Sequence, residues 1–146
     1  MTVHPSILLI DDSPGECELF GLALEQAHLA VSLHTEPDAE IAWQFLTQLP
    51  SQASLPSLIL IDLQLSGHHG CDLLTRLRAD AGFAPLPVVI FTTSDDPSDV
   101  ARGYAAGANG YVVKPGTFTD LIHCAGDICR YWVDRNRVPS MVETRC

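Results

Sequence analysis

Apolar runs recur along the chain: "SILLID" at 6–11, "SLILID" at 57–62, "LPVVIFTT" at 86–93 and "GYVV" at 110–113. A short continuous apolar run, rich in branched side chains, predicts a strand buried on both faces. "VSLHT" at 31–35 adds a shorter strand. The intervening segments have helical spacing. Over 13–27, Ser13 suits the cap, Pro14 the first turn, and Cys17, Phe20, Leu24 and Ala27 form one stripe. Over 37–49 the expected apolar side is Ile41, Phe45 and Leu49. Residues 71–80 predict a third helix and 97–108 a weaker fourth. A fifth runs from Thr117 to about Arg135, with Leu121, Ile122, Ala125, Ile128, Cys129, Trp132 and Val133 on its stripe.

Five strands alternating with five helices predict an α/β domain, a doubly wound parallel sheet covered on both faces. Right-handed crossovers leave few topologies. A length of 146 residues suits one domain, here 1–135, followed by a short C-terminal tail at 136–146.

Composition narrows the function. The chain is 47% hydrophobic and 18% charged, which is globular rather than disordered. The apolar runs are far shorter than the ~18 residues of a membrane span, and "MTVHPS" lacks the basic start and apolar core of a signal peptide. The expected location is the cytoplasm, with no membrane partner. Five cysteines with no CxxC pair argue against a disulfide framework or zinc site; most read as small core residues, and Cys146 as an exposed thiol. The charge, 8 − 18 = −10, argues against nucleic-acid binding, which needs basic patches. No lysine or arginine precedes Arg76, and Lys114 is the sole lysine.

In an open parallel sheet, sites form at the carboxyl ends of the strands. Reading each predicted end gives Asp11 and Asp12, then Asp62, then Thr92 and Thr93, then Lys114. One strand-end aspartate is as readily a turn or cap residue. Three, with a threonine and a lysine at separate strand ends, are harder to explain as caps. Two carboxylates ~4 Å apart at an effective dielectric near 20 repel by about 4 kcal/mol, so the cluster needs protons or cations. Oxygen donors without paired His or Cys favour a hard ion such as Mg²⁺. A lone ammonium opposite suits transferring phosphoryl oxygens.

"LLIDDS", "LILIDLQLSGHHG", "PVVIFTTS" and "GANGYVVKP" resemble, in order and spacing, the motifs of the receiver domain of bacterial two-component response regulators. The resemblance covers about 6–130 and implies a flavodoxin-like sheet of strand order 2-1-3-4-5. It implies that Asp62 is a phosphoacceptor for a sensor histidine kinase, and that the protein is a signalling switch rather than an enzyme. It further implies that Asp11 and Asp12, with Asp62 and the backbone carbonyl of Gln64, hold Mg²⁺ or Mn²⁺. Thr92 matches the switch hydroxyl, Tyr111 the switch aromatic and Lys114 the phosphoryl-pairing lysine, with Lys114–Pro115 expected cis.

The turn departs from the family pattern. Ser66 stands at a proline position and His69 at an aspartate position, while Gly67 and Gly70 are retained. His68 and His69 read as solvated turn residues. Thr93 replaces a smaller residue, and Gln64 and Ser94 lie where side chains influence dephosphorylation.

More narrowly, "PVVIFTTSDD", the "PSQASLP" loop and "YWVDRNRVP" resemble single-domain receivers that partner bacterial phytochrome kinases. Tyr131 and Trp132 either cap the core or belong to a dimer face. A homodimer through the fourth helix, fifth strand and fifth helix is the expectation, with an unspecified downstream protein as a further partner. A haloacid-dehalogenase-like phosphatase would need an Asp at position 64, which is Gln. A flavodoxin-like cofactor binder would not place "DDSPGE" where a phosphate must sit. A receiver-like adaptor that acts without phosphorylation remains the alternative.

Overall fold

The computed structural model describes residues 5–139. Five strands form one parallel sheet: β1 (Ser6–Ile10), β2 (Ser32–Glu36), β3 (Leu58–Ile61), β4 (Val88–Thr92) and β5 (Gly110–Val113), in the order β2-β1-β3-β4-β5. This is the doubly wound order expected. The five α-helices are α1 (Pro14–Gln26), α2 (Ala39–Thr47), α3 (Gly70–Ala79), α4 (Pro97–Ala106) and α5 (Phe118–Ile128). The last continues as a wider helical turn over Cys129–Arg135, reaching the predicted end. A small antiparallel ladder, Gln64–Leu65 against His68–His69, stands apart from the sheet.

Strand alternation divides the core into two layers. Leu8, Ile10, Ile59, Ile61, Val88 and Ile90 face the layer that includes Ala42, Leu46 and Leu74. Ile7, Leu9, Leu58, Leu60, Val89 and Phe91 face the layer that includes Phe20, Leu24 and Ala125. Burial on both sides is why these strands read as unbroken apolar runs. The α5 stripe is as predicted: Leu121, Ala125, Ile128 and Cys129 are buried, with Ile122, Trp132 and Val133 packed against them.

The predicted face of α2 is corrected. Ile41 is 44% exposed, and the buried side is Ala39, Ala42 and Leu46. The two alanines let the helix backbone lie close to the sheet. Phe45 is only partly buried and stacks on His34 of the edge strand, ring centroids 4.0 Å apart. Ala27 of the α1 stripe is likewise half-buried, and Ala23 joins Phe20 and Leu24 inside.

Cys71 and Cys129 are buried, and Cys17 and Cys124 pack against the core; Cys146 lies outside the described residues. Trp132 covers the core, as one of the two expectations had it, whereas Tyr131 is 55% exposed. Among the described residues, no helix is long and apolar enough to cross a membrane.

Candidate functional site

The sheet register brings the chemistry together. Ile10 pairs with Ile61, so the next residues, Asp11 and Asp62, emerge side by side at the carboxyl edge. Thr92 pairs with Val113, and the Lys114 amide donates to the Thr92 carbonyl at 2.7 Å, which brings the lysine to the same edge.

Lys114 Nζ donates to Asp11 Oδ2 at 2.6 Å and to Asp62 Oδ2 at 2.9 Å. The side chains are 7% exposed for Lys114, 2% for Asp11 and 13% for Asp62. Asp62 is therefore the more accessible member of a mostly buried ion triad. Burial works against the ammonium, but the hydrogen bonds to Asp11 and Asp62 outweigh it and hold the Lys114 pKa above its ordinary value.

The second oxygens also have partners. Asp11 Oδ1 accepts from the Ser13 amide at 2.9 Å, at the capped start of α1. Asp62 Oδ1 accepts from the Gln64 amide at 3.2 Å, a longer bond. The chain then turns so tightly that a Cβ on Gly70 would collide with the Asp62 carbonyl oxygen, so this position requires glycine.

Asp12 takes a different course. Its Oδ2 accepts from the Ser66 hydroxyl at 2.8 Å, across 54 residues of sequence. Ser66 and Gly67, the latter at φ 75°, form the tip of the small ladder. His69 is not simply solvated: its Nδ1 accepts from the Cys71 amide at 3.1 Å and caps α3. His68 is exposed.

Thr92 is buried at 2% exposure, beside an exposed Thr93. Tyr111 is half-buried, and its hydroxyl donates to the Ser94 carbonyl at 2.9 Å. Burial is the main cause raising the Tyr111 phenol above its usual pKa. The Ser94 hydroxyl donates to Asp99 at 2.6 Å rather than pointing to Asp62. The cis expectation is corrected: no described peptide bond is cis, so Lys114–Pro115 is trans. The trans isomer is ordinarily favoured by ~0.5–1 kcal/mol, and Lys114 reaches both carboxylates from it.

A cleft of about 160 Å³ opens beside this edge, lined by Asp11, Phe91, Lys114, Pro115 and Phe118 among others. A wider groove of about 420 Å³, between residues 52–57 and Trp132–Pro139, contains none of the strand-end residues. Asp11 and Asp12 line a further cleft of about 380 Å³ at the start of α1, and Asp62 stands outside both clefts.

The expected metal donors are hard oxygens. An ammonium already sits between two of the carboxylates as an internal cation, and oxygen donors of this kind are those that Mg²⁺ or Mn²⁺ takes. Among the described residues, no three His, Cys, Asp or Glu side chains are gathered tightly enough to hold an ion together. Asp12, turned to Ser66, is the carboxylate held by another partner.

A doubly wound sheet with an Asp–Lys–Asp triad at its carboxyl edge has the architecture of response regulator receiver domains. The chain belongs to that family: the pattern of the response regulator receiver domain matches residues 7–125. It is 31% identical over 134 residues to the probable methanogenesis regulatory protein FilR2 of Methanothrix harundinacea, covering 91% of this chain and 86% of that one. To the response regulator Rcp1 of Synechocystis it is 29% identical over 136 residues, 92% of each chain. The phosphorylated cyanobacterial phytochrome response regulator RcpA superposes with a TM-score of 0.82 at 27% identity, covering 94% of this chain and 99% of that one. The Mn²⁺-bound form of Rcp1 superposes with a TM-score of 0.79 at 28% identity, covering 93% and 99%.

Proposed function

We propose that this chain is a response regulator, residues 1–135 being the receiver, that accepts a phosphoryl group on Asp62. The observation that carries the reading is the Lys114 bridge, which holds a buried Asp11 and a more accessible Asp62 on one ammonium. A kinase phosphohistidine can approach Asp62; it cannot reach Asp11 in the same way.

Asp62 attacks the phosphorus through Oδ1, the oxygen held by one long hydrogen bond. The P–N bond breaks, the departing imidazole nitrogen keeps the electron pair and takes a proton, and an acyl phosphate remains on Asp62. Lys114 moves its ammonium from the carboxylate to the phosphoryl oxygens, neutralising charge as it transfers. Asp11, Asp12, Asp62 and the Gln64 carbonyl would hold Mg²⁺ or Mn²⁺, which when bound supplies Lewis-acid charge at the phosphoryl oxygens.

Thr92 then turns its hydroxyl to the phosphoryl group. Tyr111 reports that movement, because its hydroxyl holds the Ser94 carbonyl in the segment following Thr92. Tyr104, Val113, Phe118 and Tyr131 expose large apolar surface on or after α4, β5 and α5, and a second copy covers them in a homodimer. Similarity to RcpA, a cyanobacterial phytochrome response regulator, supports a bacterial phytochrome as the sensor kinase. The protein passes its signal to a separate downstream partner.

Acetyl phosphate with Mg²⁺ will add one phosphoryl group to the wild type and none to Asp62→Asn, read by intact-protein mass spectrometry. Equal labelling of both would overturn the assignment.

A further inference from the structure

We infer that Ser66 is a latch that competes with the metal for Asp12, so that cation binding releases the hairpin joining β3 to α3. The inference rests on the receiver reading of the acidic pair and adds a residue and a direction of effect to it.

The Ser66 hydroxyl donates to Asp12 Oδ2 at 2.8 Å, a charge-assisted bond between residues 54 apart in sequence. Ser66 does not ride on a slack loop. It sits at the two-residue tip of the ladder pairing Gln64 with His69 and Leu65 with His68, with Gly67 supplying the positive φ the tip needs. The next residue after the ladder begins α3, capped by His69 through the Cys71 amide. A pull on Ser66 is therefore passed to both flanks of the turn after Asp62.

The direction follows from what each carboxylate holds. Asp11 and Asp62 share Lys114, whereas Asp12 is neutralised by no cation among the described residues and is held by Ser66 instead. A divalent ion that takes Asp12 Oδ2 as a ligand competes with the hydroxyl for that oxygen, and the Ser66 bond gives way. Ser66 is thus a positioning residue that opposes the ion, and its exposed side chain can be replaced without disturbing the core.

The test is Mn²⁺ titration of the full chain, following free ion by electron paramagnetic resonance, in wild type, Ser66→Ala, Ser66→Thr and Asp12→Asn. Losing one competing hydrogen bond should make Ser66→Ala bind about three- to tenfold tighter, with Ser66→Thr close to wild type. In wild type, the diamagnetic Mg²⁺ should move the Gly67 and Cys71 amide resonances. In Ser66→Ala these should already lie near their Mg²⁺-bound positions before ion is added. Equal or weaker binding by Ser66→Ala, while Asp12→Asn binds poorly, overturns the latch and leaves the acidic pair standing. A wild type that does not bind, or an Asp12→Asn that binds as wild type does, overturns the acidic-pair reading and the latch with it.

Discussion

Two cations sit at opposite edges of the same sheet. At the carboxyl edge, Lys114 donates to Asp11 and Asp62. At the amino edge, Arg78 of α3 donates to the carbonyls of Ala84, Leu86 and Gly107 and to the side-chain oxygen of Asn109, at 2.6–2.9 Å. Asn109 in turn accepts from the Val88 amide at 2.8 Å, so this knot ties α3 and the end of α4 to the starts of β4 and β5.

The acceptors make the difference. All of Arg78's partners are neutral, and burial without a counter-charge pushes its guanidinium pKa down. Lys114's partners are ionised carboxylates, and they push it up against the effect of burial. A cation bound to carbonyls has nothing to exchange; it is a clamp. A cation bound to carboxylates can transfer its hydrogen bonds when a phosphoryl group modifies one of them. The same sheet therefore carries a fixed end and a changeable end.

The largest effect should come from the fixed end. Arg78→Ala leaves several carbonyls without partners and should cost about 3 kcal/mol of unfolding free energy in urea titration. Arg78→Lys should recover little, because an ammonium cannot fan across four acceptors. Neither variant should abolish acetyl phosphate labelling.

Next comes Lys114→Met, which leaves Asp11 buried beside Asp62 without a cation. It should cost about 2 kcal/mol at neutral pH, and added Mg²⁺ should return part of that loss. Mg²⁺ should do nothing comparable for Arg78→Ala, which separates the two ends.

The third prediction concerns pH. The folded Lys114 pKa is raised above 10.5, so its stabilising contribution is complete below 10.5 and is lost as pH climbs through the higher folded value. Tyr111, raised above 10.0, acts in the same direction. Wild-type stability should therefore fall in strongly alkaline solution, and Lys114→Met should show a shallower fall over that range.

The smallest effect belongs to the cap of α3. His69→Ala should cost about 1 kcal/mol, and His69→Asp should restore it, since a carboxylate also accepts the Cys71 amide. Unfolding midpoints of the three proteins would check this.

The sequence made the sheet and its chemical edge legible because buried strands write themselves as apolar runs, and Asp11, Asp62 and Lys114 follow such runs directly. Their meeting is a consequence of parallel register. The α2 face was not legible: Ile41 and Ala42 are neighbours in a short helix, and hydrophobicity alone favours the larger side chain. The Ser66–Asp12 bond was hidden because a hydroxyl gives no sign of a partner 54 residues away. The signals that did exist were the replacement of proline at position 66 and of aspartate at position 69. Arg78 gave no signal, since backbone carbonyls are not encoded by residue type.

The central claim is that Asp62, and not a neighbouring acid, carries the phosphoryl group. Borohydride reduction after treatment with acetyl phosphate and Mg²⁺ converts a phosphorylated aspartate to homoserine, which tandem mass spectrometry can assign to one position. The account predicts homoserine at position 62 and unmodified Asp11 and Asp12. Homoserine at position 11 or 12 with an intact Asp62, or no homoserine in a protein that binds Mg²⁺, would contradict it.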